Sequence, residues 1–255
     1  MVQETIIEQL NVKIQEAREK SKKFENPKIN VWIDNLVGLT SENVKELKVE
    51  PNENVEFFIK NKDLWGDKCF HYNPHNGNFV GLNGLSKALK ALEHVELNID
   101  KTFSEIEKAV YIYDWLSFNC KHENKRSIEH DYEFMTGTKG GVCGNFASAT
   151  TQLLLRQEID AYTISTATHA FTIARINGKL YPIDADLTAN DGLTVNGFAR
   201  EGYYDMKGLH FDEFLEGQQI EKNYLPDETV WEITEKVMPE YNRKREELQN
   251  QLLNK

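Results

Sequence analysis

The 255-residue chain has few cysteines. There are three, Cys69, Cys120 and Cys143, and so small and odd a number excludes a disulfide framework as the main support of the fold. Such usage fits a reducing compartment, where a thiol stays usable as a nucleophile. Long apolar runs are missing as well, none approaching the ~20 residues of a membrane-spanning helix. Met1 to Lys20 is rich in Glu and Lys, with no apolar signal core. Cytoplasmic localisation is the expectation, with signal-independent secretion left open. Basic residues are in deficit: 30 Lys and Arg against 41 Asp and Glu give a formal net charge of −11. That balance disfavours nucleic acid and anionic membrane as partners. Internal repeats, low-complexity blocks, phosphate-binding glycine loops and nucleophile-elbow serines are also lacking. What remains is a soluble, acidic chain, long enough to bury a full core.

Local patterns divide the chain softly near residue 100. Ile6, Ile7, Leu10, Ile14 and Ala17 recur at helical spacing ahead of Asn26-Pro27. Residues 30–37 read as short and mixed, Ser41 as a helix start, and Val55–Ile59 as a strand. The stretch 69–83, crowded with Asn, Gly, His and aromatics, reads as mostly loop, and 85–92 as helical. Ser104 with Glu107 forms a capping box, and Ile106, Ala109, Val110, Tyr113, Leu116 and Ser117 trace one face of the helix behind it. Phe146, Ala149, Thr150, Leu153 and Leu154 trace another, over a helix ending near Glu158. Residues 161–167 have the β-branched content of a strand. Residues 229–237 read as a helix that stops at Pro239. The expected organisation is an N-terminal extension over 1–100, a catalytic core over 101–226 and a C-terminal helical segment over 227–255.

Chemistry concentrates in three places. Gly140-Gly141-Val142-Cys143 puts a thiol at a glycine-led helix start, where the helix dipole and unpaired N–H groups favour a thiolate and an oxyanion. His169-Ala170-Phe171 supplies an imidazole that can take the thiol proton and return it to a leaving amine. Tyr181-Pro182-Ile183-Asp184 supplies a carboxylate that can orient the imidazole and stabilise its cation. Alone, each residue has an ordinary reading: a small buried thiol, a core histidine, a strand-end aspartate. Their conjunction points to catalysis.

Asn177-Gly178 is a strong two-residue hairpin signal between the histidine and the aspartate. Ile176 then pairs with Lys179, and paired residue numbers sum to a constant. His169 falls opposite Asp186 and Phe171 opposite Asp184. His169, Asp184 and Asp186 therefore share one face. The register supplies a histidine–carboxylate pair and leaves the carboxylate open between Asp184 and Asp186.

From Ser104 to Asp186 these phrases, with Tyr113-Asp114-Trp115-Leu116, Ala147 and Ile159-Asp160-Ala161-Tyr162, resemble the transglutaminase-like superfamily. That family shares its core arrangement with papain-type cysteine proteases. The resemblance implies an α+β fold in which the nucleophile-bearing helix packs on an antiparallel sheet. It implies Cys143 as nucleophile, His169 as base and Asp184, in preference to Asp186, as orienting acid. Phe171 stands where the family usually has tryptophan, Asp184-Ala185-Asp186 replaces its Asp-Pro-Thr ending, and His122 stands at or near a usual tyrosine. Arylamine N-acetyltransferases share the Cys-His-Asp order, but Lys139 stands where they usually have arginine.

The expected activity is thioester-mediated acyl transfer on amide bonds of a protein or peptide substrate. Hydrolysis (protease or deamidase) or transglutaminase-type transfer would follow. A non-catalytic binding module on the same fold is the alternative. No cofactor and no metal are expected. Cys69, His71 and His75 lack an evident fourth ligand for zinc. Asp184, Asp186, Thr188 and Asn190 echo a calcium loop, but Gly192 is out of place and the closing glutamate is missing. Oligomeric state is not legible.

Overall fold

A computed structural model describes residues 5–25, 28–59, 77–123, 132–136, 140–165, 169–186, 225, 227–241 and 250. Two three-stranded sheets and five helices carry the described chain. Helix α1 (Ile6–Ser21) starts at Thr5, whose hydroxyl accepts from the Glu8 N–H while the Glu8 carboxylate accepts from the Thr5 N–H. Ile7, Leu10 and Ile14 are its buried stripe, as the periodicity anticipates.

The first sheet joins β1 (Ile29–Ile33), β2 (Val55–Ile59) and β3 (Gly77–Val80), with β1 parallel to β2 and β2 antiparallel to β3. Two sequence expectations are corrected here. Residues 30–37 open inside a regular strand, since Ile29, Val31 and Ile33 are buried while Asn30 is exposed, a period-two pattern too short to stand out. Within 69–83, residues 77–80 are a strand and helix α2 (Gly81–Glu96) begins directly after it. Pairing with β2 outweighs the weak propensities of Gly77 and Asn78.

Helix α3 (Glu105–Asn119) is buried nearly all round, Tyr111, Ile112 and Asp114 included. Its sequence shows one apolar face, but it packs between α4 (Cys143–Arg156) and α5 (Asp227–Val237). The second sheet is an antiparallel meander of β4 (Ala161–Ser165), β5 (Ala170–Ile176) and β6 (Lys179–Ile183), with α4 against β4 and β5. Threonines join these layers: Thr151 Oγ1 lies 2.9 Å from Thr163 Oγ1 and 3.2 Å from Thr172 Oγ1. The Thr172 hydroxyl donates to the Ala147 carbonyl at 2.9 Å. Buried side chains from Ile7 to Met238 form one connected core. Among the described residues, no helix is long and apolar enough to cross a membrane.

The β5–β6 register matches the sequence expectation, Ile176 facing Lys179 and Thr172 facing Ile183. Asn177 and Gly178 have φ of 50° and 79°, the left-handed pair that a tight hairpin turn requires. Nothing lies within 4 Å of a Cβ built on Gly178, so a side chain there costs backbone strain alone. Gly178→Val is expected to destabilise by about 1–3 kcal/mol. In a thermal melt the midpoint should fall by roughly 2–12 °C. An unchanged midpoint would contradict the strained-turn account.

Candidate active site

Helix α4 begins at Cys143 because the chain ahead of it is pinned to a neighbouring segment. The Gly141 N–H donates to the Lys121 carbonyl at 2.9 Å, and the Glu123 N–H donates to the Gly141 carbonyl at 2.9 Å. The Gly140 N–H donates to Glu123 Oε1 at 3.0 Å. A Cβ on Gly140 would sit 2.9 Å from the Lys121 carbonyl oxygen and 2.3 Å from Glu123 Cγ. Glycine at this position therefore permits the approach. The Val142 N–H donates to the buried Asn145 side chain at 3.0 Å, closing the entry to the helix. As its first residues, Cys143 and Gly144 have no intrahelical acceptor for their N–H groups.

The hairpin brings the imidazole and a carboxylate to the same place. His169 directly precedes β5 and Asp184 directly follows β6. Both are buried, at 7% and 2% exposure, and His169 Nε2 lies 2.5 Å from Asp184 Oδ2. An ionised carboxylate only accepts, which assigns the Nε2 proton to the histidine. With Nε2 so engaged, Nδ1 is the ring nitrogen left for a second partner. Cys143 Sγ, a ring nitrogen of His169 and a carboxylate oxygen of Asp186 all lie within 4.8 Å of one another. Burial disfavours charge on this ring. The Asp184 charge and its hydrogen bond outweigh that penalty, with help from Cys143, and raise His169 from the usual 6.5 to about 10.

Of the two carboxylates that the hairpin register left open, Asp184 bonds His169 and Asp186 bonds His122. The reason lies where the ladder stops. The ladder ends at Thr172 and Ile183, and residues 185–186 turn helical, so Asp186 is not held across from His169. The Ser117 hydroxyl donates to the Ala185 carbonyl at 3.2 Å, fastening this turn to α3. His122 Nδ1 lies 2.7 Å from Asp186 Oδ1. Burial and the neighbouring Asp184 charge push Asp186 up to about 6, against the opposing effect of His122. The sequence reading missed this second pair. His122 reaches the site through a bridge to Gly141, and its only signal was standing where the resembling family usually has tyrosine.

The other thiols are placed differently. Cys120 is buried, and burial pushes its thiol well above the usual range, which suits an inert core residue. Cys69, His71 and His75 lie outside the described residues, as do Thr188, Asn190 and Gly192. Of the calcium-loop echo, Asp184 and Asp186 are described, and each bonds a histidine.

Residues 76–197 match a protein family described as a transglutaminase-like domain. The matched stretch contains Cys143, His169, Asp184 and Asp186, and encloses the resemblance read from residues 104–186. Among solved structures, a putative cysteine protease from Cytophaga hutchinsonii is similar over 43% of this chain and 39% of its own, at 22% identity and a TM-score of 0.34. This chain thus spans well under half the length of that protein. No curated protein matches the chain. The fold is α+β, and the stretch 76–197 is similar to a transglutaminase-like domain.

Proposed function

We propose that this protein is a cysteine-dependent acyl-transfer enzyme that opens amide bonds of a protein or peptide through a thioester on Cys143. The observation that carries this reading is the buried His169, bonded through Nε2 by Asp184 at 2.5 Å and with a ring nitrogen within 4.8 Å of the Cys143 sulfur. The raised proton affinity of His169 lets Nδ1 take the thiol proton before attack, so that the sulfur adds to the carbonyl carbon as a thiolate. Asp184 holds the ring by its Nε2–H and stabilises the imidazolium. The carbonyl oxygen gains negative charge as the tetrahedral intermediate forms, and the N–H groups of Cys143 and Gly144 at the start of α4 are suited to receive it.

Collapse of that intermediate breaks the C–N bond. His169 returns the proton to the departing amine, leaving an acyl group on sulfur. A water or amine then attacks the thioester while His169 again accepts a proton, and the thiol is restored. Water on a peptide bond gives proteolysis, water on a glutamine side chain gives deamidation, and an amine gives transfer. Hydrolysis of a peptide or side-chain amide is our preferred outcome. Phe171 and Asp186 replace family residues around the pocket, and those changes do not favour a standard crosslinking site.

Trapping tests this directly. The intact protein is incubated with a peptide library, quenched in acid, digested and read by mass spectrometry. A mass adduct on the Cys143 peptide, absent in His169→Ala, is the expected result and identifies the acyl donor. Equal, slow reaction of Cys69, Cys120 and Cys143 with a thiol probe, with no acyl adduct, would favour a binding module instead.

A further inference from the structure

Cys143, His169 and Asp186 form one cluster of possible metal donors. We infer that Cys143, His169 and Asp186 bind Zn²⁺ as three protein ligands, and that the bound ion silences the sulfur reversibly. Their donor atoms lie within 4.8 Å of one another. Tetrahedral zinc, with bonds of about 2.0–2.3 Å, needs donor separations of about 3.3–3.7 Å. The donors must draw together by at most about 1.5 Å to reach those separations. Thiolate and imidazole together select zinc over calcium or magnesium, which take oxygen donors.

The surroundings support ligation. A zinc-bound histidine characteristically gives its other N–H to a carboxylate, and His169 Nε2 already stands 2.5 Å from Asp184 Oδ2. Asp186 is oriented through one oxygen by His122 at 2.7 Å, and a carboxylate has a second oxygen for a cation. Cys143 is half-buried, whereas His169 and Asp186 are buried. Three protein ligands leave a fourth tetrahedral position for water. Binding replaces the thiol proton by the metal and releases that proton. The sulfur lone pair that would attack a carbonyl is then committed to zinc. This geometry stands whether or not the site turns over an amide.

The test uses the reduced, full-length protein and Co²⁺ as a spectroscopic stand-in, with Zn²⁺ displacing it in titration. The expected spectrum combines a thiolate-to-cobalt charge-transfer band with intense visible bands of four-coordinate geometry. Cys143→Ser should remove the charge-transfer band. Asp186→Asn should weaken Zn²⁺ binding at least tenfold, and Asp184→Asn, acting through His169, by about 10–100-fold. Cys120→Ser should change nothing. The inference is overturned if the charge-transfer band survives Cys143→Ser, if the bound cobalt is six-coordinate, or if Asp186→Asn binds zinc as tightly as wild type while melting at the same temperature. Metal binding without any acyl adduct would overturn the proposed reaction and leave the zinc site standing. An acyl adduct without metal binding would do the reverse.

Discussion

Cys143→Ala is expected to abolish amide turnover, and His169→Ala to lower kcat by on the order of 10²–10⁴. The measurement is steady-state kinetics on the peptide that trapping identifies, with each variant's melting temperature recorded alongside. The two losses should not add, because sulfur and imidazole act as one unit and removing either disables the other. Asp184→Asn should also cost on the order of 10²–10⁴, since an amide can fix the wrong tautomer and cannot stabilise the imidazolium. Asp186→Asn should cost less, because its partner is His122 and not the base. A His169→Ala variant that keeps wild-type turnover, or a larger loss at Asp186 than at Asp184, would sink the assigned roles.

That ranking of the two aspartates shows where sequence reasoning reached and where it stopped. Asn177-Gly178 was enough to align β5 with β6, because a two-residue turn leaves one register and side chains alternate strictly. It could not say where the ladder ends. The end at Ile183 and the helical turn of Ala185 and Asp186 depend on long-range packing against α3. The Gly-Gly-Val-Cys helix start was legible because glycine pairs and an apolar stripe are local signals. His122 was not, since its bond to Asp186 spans 64 residues and no periodicity connects them. In the N-terminal part, β1 and β3 escaped notice because each is short and gains its order from β2. Helix α3 showed one apolar face in sequence, yet burial on several sides is set by neighbours that a periodicity scan does not see.

The largest stability effect is expected at Arg156. Its side chain is 6% exposed, and Nε lies 2.6 Å from Glu96 Oε2. Nη1 donates to the Leu36 carbonyl at 3.1 Å and the Leu39 carbonyl at 2.6 Å. One turn earlier on the same helix, the buried Gln152 side chain accepts from the Leu36 N–H at 2.9 Å. The C-terminal half of α4 thus fastens both the 36–39 segment and α2. Truncation to Arg156→Ala leaves the Leu39 carbonyl and the Glu96 carboxylate without this donor, while the Leu36 carbonyl keeps the Leu39 N–H at 3.1 Å, at a cost of about 2–4 kcal/mol. The melting midpoint should fall by roughly 4–16 °C. Lys22→Ala, which removes an exposed pair with Glu19, should shift it by about 2 °C or less. If both variants melt alike, the clamp at Arg156 has no special weight in the fold.

His169 and Asp184 ride on a single β-ribbon, whereas Cys143 rides on a helix held to the sheet containing that ribbon by Thr151, Thr163 and Thr172. The base and its acid therefore travel together, and the gap to the sulfur is governed by one seam between two layers. Altering the three hydroxyls at the seam is accordingly expected to change the separation of Cys143 from His169 while the His169–Asp184 bond is kept.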